Sequence, residues 1–538
     1  MLISIALYLN LWYTLANYII KLLSFIKGET KMTNTIIGLL TVIVIYLIAM
    51  VLIGVYFSSK NKDVSDFYLG GRKLGPIVTA MSAEASDMSS WLLMGLPGVA
   101  YLSGCAEAGW TAIGLAIGTY FNWLIVAKRL RRYTAKNNSI TLPEFFSNRF
   151  RDNSRLILAI AAIFIVVFFV PYTGSGFAAC GKLFSTLFGI PYAPAMIVSA
   201  IIIVAYTALG GFLAASTTDL IQSIVMTIAL VIVVVFGVNV AGGMDVVLSN
   251  AKGLEGYLSL LASHDPVSGS SSPYTALTIA STMAWGLGYF GMPHILLRFM
   301  GIQDENKLKL SRRIATVWVV ISMAVAIFIG IIGYSMSKVG AIDVLEGSSE
   351  AETLIIKVAM LLSEHGVLAI IMAGLILAGI LACTMSTSDS QLLAASSSVS
   401  KNLLVDCFGL KLSQKTSMIV ARITVVLISI VGVVIAWNPN SSVFNIVSFA
   451  WAGFGACFGP LMLFSLFWKR TNRNGALAGM VVGGVMVFVW HYLIAPIGGI
   501  WGIYELLPAF ILSSITIVVV SLLTAPPSKE IVEEFESV

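Results

Sequence analysis

The chain has 538 residues, of which 58% are hydrophobic and 11% are charged, and its formal net charge is +6. This composition excludes a soluble globular protein and is typical of a polytopic membrane protein, in which lipid replaces the hydrophobic core. The five cysteines are scattered without a CxxC spacing, so neither a disulfide framework nor a zinc site is predicted.

Thirteen segments after Met32 are long and apolar enough to cross a bilayer as helices of about 20 residues. They lack the ten-residue alternation of a membrane barrel, which predicts an all-α fold. Two of the segments, 76–103 and 367–399, are polar enough that we expect them to score poorly on hydropathy alone. The predicted spans are 34–57, 76–103, 108–127, 156–180, 191–209, 215–241, 274–297, 314–337, 367–399, 417–437, 443–468, 475–494 and 501–524.

Lysine and arginine are concentrated in alternate connections between these spans. Together with Lys529 in the tail, those connections hold 24 basic residues, whereas the opposite side holds four. The positive-inside rule therefore places the N-terminus outside and the C-terminus inside, and no nucleic-acid partner is needed to explain the charge. The basic connections are 58–75 with four, 128–155 with eight, 298–313 with five, 401–416 with three and 469–473 with three.

The first 31 residues do not fit this topology, because a span over 2–20 would export three lysines together. A signal peptide would carry its basic residues before the apolar run, not after it. Two interpretations remain, an interfacial helix or a mis-assigned start with Met32 as the true beginning. The cytoplasmic tail is predicted over 526–538.

The second span carries the polar stretch "MSAEASDMSS", residues 81–90. A carboxylate in a membrane span costs about 2.5–3.5 kcal/mol and is retained where it meets water, a partner or a substrate. Small and hydroxylated residues around Asp87 favour a helix interruption that frees backbone carbonyl groups. Glu84 shares the helical face of Asp87. A functional role and a position in an aqueous vestibule explain its charge equally well.

The first span of the second set of five, "ASTMAWGLGYFGMPHILLRFM" at 280–300, is interrupted by three glycines and Pro293. Paired interruptions at corresponding positions of two halves indicate a solute site at the interface between repeats. Trp285 and Tyr289 are four residues apart, so on a helix they share one face and suit the wall of a pocket. Packing is the alternative reading of these aromatic residues.

The ninth span ends in the hydroxyl-rich run "LACTMSTSDSQLLAASSSVSKN", residues 381–402. Its positions 383, 386 and 387 share a helical face, where the Cys383 carbonyl and the Ser386 and Thr387 hydroxyls offer oxygen atoms to a hard cation. Helix cross-linking by hydroxyl groups is the alternative. Carbonyl groups of Ala85 and Met88, at the break in the second span, would complete the ligand set.

Two further residues remain open to interpretation. Tyr172 follows a proline in the fourth span, where a kink and a pocket position are equally expected. Asp219 lies at the start of the sixth span, where membership of a helix N-cap network and a position on an ion path are equally expected. The sequence has no P-loop, GxSxG or HExxH motif, which argues against ATP hydrolysis and against a membrane enzyme.

The chain resembles the sodium/solute symporter family, and within it the bacterial sodium/proline symporters. The resemblance covers nearly everything after Met32. It is carried by "SDFYLGGRKLGPIVTAMSAEASDMSSWLLMGLPG", "GFLAASTTDLIQS", "WGLGYFGMPHILLRFM", "MSTSDSQLL", "FAWAGFGACFGP" and "RNGALAGM". It implies a transporter domain over 32–525 with thirteen transmembrane helices and a leucine-transporter-like five-plus-five inverted repeat, about 76–241 and 274–468.

The resemblance also implies roles for individual residues. Sodium is expected at the carbonyl groups of Ala85, Met88 and Cys383 and the hydroxyls of Ser386 and Thr387. The other positions fall into a coupling or solute group and a transport-associated group. The first group is Asp87, Ser89, Ser90, Tyr172, Trp285, Tyr289 and Pro293, and the second is Arg72, Ser82 and Asp219.

Three residues depart from the family pattern. Ser90 stands where relatives often have glycine, Cys383 replaces a common alanine, and Glu84 stands where glycine can occur. Because Cys383 would bind through its carbonyl group, its side chain should be harmless, whereas Ser90 and Glu84 bear on solute choice.

The resemblance implies sodium-coupled uptake of L-proline across the bacterial cytoplasmic membrane by alternating access. Sodium is the co-transported ion, and no organic cofactor, catalytic residue or obligate protein partner is expected beside the solute and membrane lipid. Another small amino acid or a carboxylate is the alternative solute. An ion channel is the remote alternative.

Overall fold

The computed structural model describes residues 34–58 and 64–538, so the predicted extension at 1–31 lies outside the described residues. Helices make up nearly all of the described chain. A two-stranded antiparallel ribbon, β1 (Ala262–His264) and β2 (Ser271–Pro273), pairs Ser263 with Ser272 in the connection between the two halves.

The first half of the chain forms ten α-helices, several of which continue into π-helical or 3₁₀ turns. The helices are α1 (Asn34–Ser58), α2 (Val64–Leu69), α3 (Pro76–Ser90), α4 (Leu96–Ser103), α5 (Cys105–Phe121), α6 (Ala127–Lys136), α7 (Leu142–Arg149), α8 (Leu156–Phe188), α9 (Tyr192–Val240) and α10 (Met244–Lys252). The π-helical turns Trp91–Gly95 and Asn122–Val126 join α3 to α4 and α5 to α6.

The second half adds eleven helices, and the first two of these are joined through a 3₁₀ segment at Ala284–Phe290. They are α11 (Ala276–Met283), α12 (Pro293–Gly301), α13 (Leu308–Lys338), α14 (Ser348–Ala351), α15 (Leu354–Leu362), α16 (Val367–Ser397), α17 (Gln414–Ile435), α18 (Val443–Phe467), α19 (Arg473–Val489), α20 (Leu506–Leu523) and α21 (Lys529–Glu536). A ten-residue π-helical turn, Ser398–Cys407, extends α16.

Each predicted span lies on helical structure. Within the described ranges, ten helices are long and apolar enough to cross a membrane. The predicted spans 76–103, 191–209 and 274–297 are not among them, and over the second of these Tyr192–Ala205 is a shorter apolar helix. The expectation that 367–399 scores poorly was wrong. Its hydroxyl groups occupy only the second half of the helix, so the first half alone supplies a sufficiently apolar window.

Long helices surround the two interrupted ones. Helix α9 packs along α16, α1 and α3, and it changes direction at Gly211, whose φ is 68°. Helix α8 runs unbroken through Pro171 and packs against α16, α18 and α9. Because α3 lies between α9 and α16, its polar stretch is enclosed by other helices rather than by lipid.

The tail predicted at 526–538 is folded against the basic connections. The Phe535 ring lies between two guanidinium groups, 4.5 Å from that of Arg129 and 5.0 Å from that of Arg149. Arg151 pairs with Glu534 at 3.1 Å. Helix α21 therefore packs against the basic connection 128–155 through one buried aromatic side chain and surface charges.

Candidate functional site

The predicted interruption of the second span is confirmed, and it falls at Ser89. This residue has φ 44° and ψ −172°, a backbone conformation that residues other than glycine rarely adopt. The Ser89 hydroxyl accepts the Trp91 backbone N–H at 3.1 Å, which partly offsets the lost helical hydrogen bonds. The break therefore follows directly after Asp87 and Met88.

Four of the five predicted cation-ligand residues are brought together where α3 meets α16. The Ser386 hydroxyl contacts the Ala85 carbonyl oxygen at 2.8 Å and the Cys383 carbonyl oxygen at 3.1 Å. The Thr387 hydroxyl lies 3.1 Å from the same Cys383 oxygen. All four residues are buried. The arrangement is a compact set of neutral oxygen atoms, the type of ligand that a hard monovalent cation takes.

The fifth predicted ligand residue, Met88, lies at the break itself. Its carbonyl oxygen accepts the Trp91 backbone N–H. The cluster thus extends from the Ser386 side of α3 to the interruption, with Asp87 between the two ends.

Asp87 connects the first break to aromatic residues of two other helices. Its carboxylate accepts the Tyr289 hydroxyl at 2.5 Å, and its backbone carbonyl accepts the Tyr172 hydroxyl at 3.2 Å. Tyr172 is buried and α8 continues through Pro171 without a break, so its pocket position stays a prediction. A buried carboxylate next to two phenol groups can orient the polar end of a small zwitterionic solute.

Trp285 belongs to an aromatic cluster above the Asp87 region. Its ring centroid lies 5.7 Å from that of Trp91, 5.4 Å from that of Phe444 and 5.4 Å from that of Tyr504. The Trp451 indole N–H donates to the Trp285 carbonyl group at 2.7 Å. These rings form one packed aromatic cluster, and their role as the wall of a solute pocket stays a prediction.

The prediction that Trp285 and Tyr289 share one helical face was wrong. Residues 284–290 form a 3₁₀ helix with about three residues per turn, which places positions i and i+4 roughly 120° apart. Both rings nevertheless contact Trp451, with centroid separations of 6.2 Å and 5.2 Å. The two side chains meet through a third ring and not through a common face.

Pro293 and Ser90 complete the predicted solute set. Pro293 is the first residue of α12, where a missing N–H costs nothing. Ser90 is fully buried, and its hydroxyl has no hydrogen-bond partner among the described residues. Ser90 therefore has unused hydrogen-bonding capacity beside the break.

Glu84 does not project into an aqueous vestibule. It is fully buried, and its Oε1 accepts the Trp123 indole N–H at 2.9 Å and the Thr119 hydroxyl at 3.1 Å. The vestibule alternative fails because the carboxylate is buried against Thr119 of α5 and Trp123 of the following π-helical turn.

Asp219 is not an N-cap, because α9 is continuous through it and changes direction eight residues earlier, at Gly211. Its carboxylate accepts the Ser82 hydroxyl at 2.6 Å and pairs with Arg298 at 3.1 Å, with all three side chains buried. Arg298 also donates to Ser82 at 2.9 Å and Ser390 at 2.5 Å. This network joins α3, α9, α12 and α16.

Arg72 fixes the connection between α2 and α3. Its guanidinium donates to the carbonyl groups of Met300 at 2.7 Å, Thr134 at 2.9 Å and Ser139 at 2.8 Å. Burial and the neighbouring Arg131 charge lower the pKa of Arg72 to about 10, so it stays protonated at neutral pH. Arg72 lies apart from the Asp87 region and acts on the packing of the basic connections.

Sequence reasoning missed several residues of this region. Arg298 was counted in the connection 298–313, but it is buried inside α12. Asn122, whose amide donates to the Tyr289 carbonyl group at 3.0 Å, was not singled out. For Asn122 the available signal was a polar residue inside the predicted span 108–127, whereas Arg298 lay one residue beyond the span predicted at 274–297. Trp451 and Phe444 carried no signal, because aromatic residues are common throughout the spans.

Comparison with protein families assigns the chain. The family model described as "Sodium:solute symporter family" matches residues 67–483. The chain belongs to the sodium:solute symporter family. It is therefore a multi-pass membrane transporter and not an enzyme, and sodium is the co-transported ion.

Named relatives align over almost the whole chain. The sodium/proline symporter of Haemophilus influenzae is 43% identical over 91% of this chain and 96% of its own length. The osmoregulated proline transporter OpuE of Bacillus subtilis is 40% identical over 90% and 94%. The sodium/proline symporter of Escherichia coli is 41% identical over 91% and 94%.

Solved structures share the fold. A sodium-coupled sialic acid symporter in a substrate-bound outward-open state gives a TM-score of 0.75 at 19% identity, covering 91% of this chain and 99% of that one. The nucleobase-cation-symport-1 family transporter MHP1 gives 0.53 at 14% identity, covering 89% and 99%. At these identities the likeness establishes the helical transporter fold alone.

Proposed function

We propose that this protein imports L-proline together with sodium across the bacterial cytoplasmic membrane by alternating access. The observation that carries the proposal is that two sets of groups lie on one turn of α3. Neutral oxygen atoms of Ala85, Cys383 and Ser386 lie on one side of α3, and Asp87 with its two phenol partners lies at the adjoining break. The names of the aligned relatives support proline as the solute.

Sodium would bind at the carbonyl groups of Ala85, Met88 and Cys383 and the hydroxyls of Ser386 and Thr387. These atoms belong to α3 and α16, so a cation between them holds the two helices together. In this structure the hydroxyl groups donate to carbonyl oxygens. After the hydroxyl hydrogens rotate away, the lone pairs of the hydroxyl oxygens would coordinate a cation. No charged ligand is required for an ion of single charge.

Proline would bind between the break and the aromatic cluster. Asp87 and the phenol groups of Tyr172 and Tyr289 provide polar contacts for its ammonium and carboxylate groups, and Trp285 provides apolar surface for its ring. Ser89, Ser90 and Pro293 shape the two interruptions. Because sodium and proline both act on α3, each should increase the affinity for the other.

The ion pair of Asp219 and Arg298 would act on release to the inside. It ties α3 to α9, α12 and α16 at Ser82, more than one helical turn before Asp87. Removing one partner of a buried ion pair costs about 3–5 kcal/mol, because the other charge stays buried without compensation. Separating the two charges into water costs less, because both are rehydrated. Entry of water would thus permit the opening. Arg72 would hold the neighbouring connections in register.

The finer topology is part of the same proposal. The chain has thirteen transmembrane helices, an outside N-terminus and an inside C-terminus. Ten of these helices form a five-plus-five inverted repeat at about 76–241 and 274–468. The distribution of basic connections supports the orientation. The interrupted helix at the start of each half supports the repeat.

Reconstituted vesicles test the function. Purified protein in proteoliposomes should accumulate labelled L-proline when sodium is high outside, and an inside-negative potential should increase uptake by adding about 2.3 kcal/mol per charge per 100 mV. Accumulation that ignores an imposed sodium gradient would contradict the proposal. A channel would equilibrate the label without concentrating it.

A second solute is considered because of Glu84 and Ser90, two buried polar residues at positions where relatives can carry glycine. Unlabelled amino acids and small carboxylates should be tested as competitors of proline uptake. If another compound competes at lower concentration than proline itself, that compound is the solute.

A further inference from the structure

Glu84 has a defined place in the structure that the transport mechanism above does not use. It is a fully buried carboxylate in a membrane helix, three residues before Asp87. Its two donors, Thr119 and Trp123, are four residues apart on consecutive turns, so they form a two-donor cleft for one carboxylate oxygen. Such bonds partly offset the cost of burying the carboxylate.

The π-helical turn that contains Trp123 also bonds to the second interrupted segment, 284–290. Asn122, next to Trp123, donates its side-chain amide to the Tyr289 backbone carbonyl at 3.0 Å. The Tyr289 hydroxyl in turn donates to the Asp87 carboxylate. A closed ring of contacts therefore runs from Glu84 through α5 to Tyr289, then to Asp87 and back along one turn of α3.

One side of this ring cannot adjust. A Cβ added at Gly118 would lie 2.2 Å from the Gly286 carbonyl oxygen, and one added at Gly286 would lie 2.1 Å from that of Gly114. The backbones of α5 and of segment 284–290 are therefore in direct contact, which fixes Tyr289 relative to α5. The contact that can change is therefore the attachment of α3 to α5, which Glu84 makes through its hydrogen bonds.

The direction of the Glu84 side chain separates it from the cation cluster. Ala85, the next residue, presents its carbonyl oxygen to Ser386 of α16, whereas Glu84 places its carboxylate on α5. Adjacent residues thus serve different neighbouring helices. The contacts of Glu84 lead to the Tyr289 side of the site, where the solute is proposed to bind.

We infer that Glu84 is a positioning residue for the solute, in that its hydrogen bonds to Thr119 and Trp123 hold Asp87 against the Tyr289 hydroxyl. The inference rests on the proposed proline symport. Because Glu84 acts as a hydrogen-bond acceptor, an uncharged acceptor of the same shape should replace it. A group acting by its charge could not be replaced in this way.

Kinetics of proline uptake in proteoliposomes test the inference. Glu84→Ala should raise the KM for proline about tenfold at saturating sodium, because a hydrogen bond to a charged group contributes about 1.5–3 kcal/mol. The half-saturating sodium concentration at saturating proline should change less than about twofold. Glu84→Gln should stay within about twofold for both quantities, since the amide oxygen accepts the same two bonds.

Partner variants guard against loss of folding in Glu84→Ala. Trp123→Phe removes the indole donor and retains an aromatic ring against Phe299, and it should raise the KM for proline in the same direction. Thr119→Val should do so to a smaller extent. Thr111→Val is the matched control on the same helix, because its buried hydroxyl has no partner among the described residues. It should leave the KM unchanged.

Two results would overturn the inference. One is an unchanged proline KM in Trp123→Phe and Glu84→Ala. The other is a Glu84→Gln variant that shifts the sodium requirement, which would mean that the charge acts on the ion. If the unmodified protein fails to take up proline with sodium, the proposed function itself fails, and the same variants are measured with the solute that the competitor panel identifies.

Discussion

The two interrupted helices of this transporter are broken in different ways. The first is broken at Ser89, a residue with a side chain in a strained conformation, amid the polar residues 81–90. The second is wound as a 3₁₀ segment whose glycines lie directly against other helices. A Cβ at Gly286 would lie 2.1 Å from the Gly114 carbonyl oxygen, and one at Gly288 would overlap the Trp451 indole.

The difference separates chemistry from packing. In the first break, the side chains and carbonyl oxygens carry the proposed binding groups, and the surrounding helices bury them. In the second break, the absence of side chains lets α5 and α18 approach closely enough to hold Tyr289 and Trp285 in place. We therefore expect substitutions in the first break to change transport and substitutions in the second to change folding.

The largest expected effect is on folding, from Gly286→Ala. The added methyl group would lie 2.1 Å from the Gly114 carbonyl oxygen, which belongs to backbone and cannot rotate away. Overpacking of this kind costs about 3 kcal/mol or more. Size-exclusion chromatography in detergent should show loss of the monodisperse peak. Gly75→Ala is the control, because a Cβ there meets nothing within 4 Å, and a normal Gly286→Ala profile would refute the packing role.

Asp87→Asn should keep the folded protein and lose transport. Asparagine is similar in shape and can still accept the Tyr289 hydroxyl, but it removes the negative charge beside the proposed ligands. We expect initial proline uptake to fall about tenfold or more, with an unchanged amount of protein in the membrane. Uptake at the unmodified rate would reduce Asp87 to a structural residue and would erase the contrast between the two breaks.

Ser386→Ala and Thr387→Ala should raise the sodium requirement. Each removes one neutral oxygen from the cluster that joins α16 to Ala85, so the half-saturating sodium concentration should rise up to about tenfold. Ser397→Ala is the control on the same helix, because that hydroxyl bonds only the Ala394 carbonyl group of its own turn in the described contacts. An unaltered sodium dependence in both test variants would show that the ion binds elsewhere.

The smallest effect is expected for Ser89→Gly. Glycine loses the bond to the Trp91 N–H but adopts φ 44° without the cost of a Cβ, so the two changes oppose each other. Thermal stability should change by about 1 kcal/mol or less and uptake by about twofold. A large loss of uptake with normal stability would show that the Ser89 hydroxyl contacts the solute or the ion directly.

Much of the fold follows from the sequence, because apolar length locates ten of the helices. The predicted spans fall on helices, and the interruption near Asp87 is where the serines and alanines place it. The 3₁₀ winding of 284–290 could not be predicted. It depends on contacts of Gly286 and Gly288 with α5 and α18, which are distant in sequence.

The site was predictable where residue type and spacing act on one helix, as at Cys383, Ser386 and Thr387. Contacts between helices were not. Arg298 lies near the end of its span, so sequence reasoning placed its charge in water instead of on Asp219. Glu84 gave a signal by its charge alone, and its partners on α5 became evident only from the packing.

The indole rings at the site make this transporter its own optical reporter. Trp285 contacts both Trp91 and Trp451 beside the proposed solute pocket, and these are three of the eleven tryptophans. Intrinsic emission should therefore respond when sodium or solute binds, which allows binding to be titrated in detergent without radioactive label. Replacing Trp285 by phenylalanine would identify the ring that carries the signal.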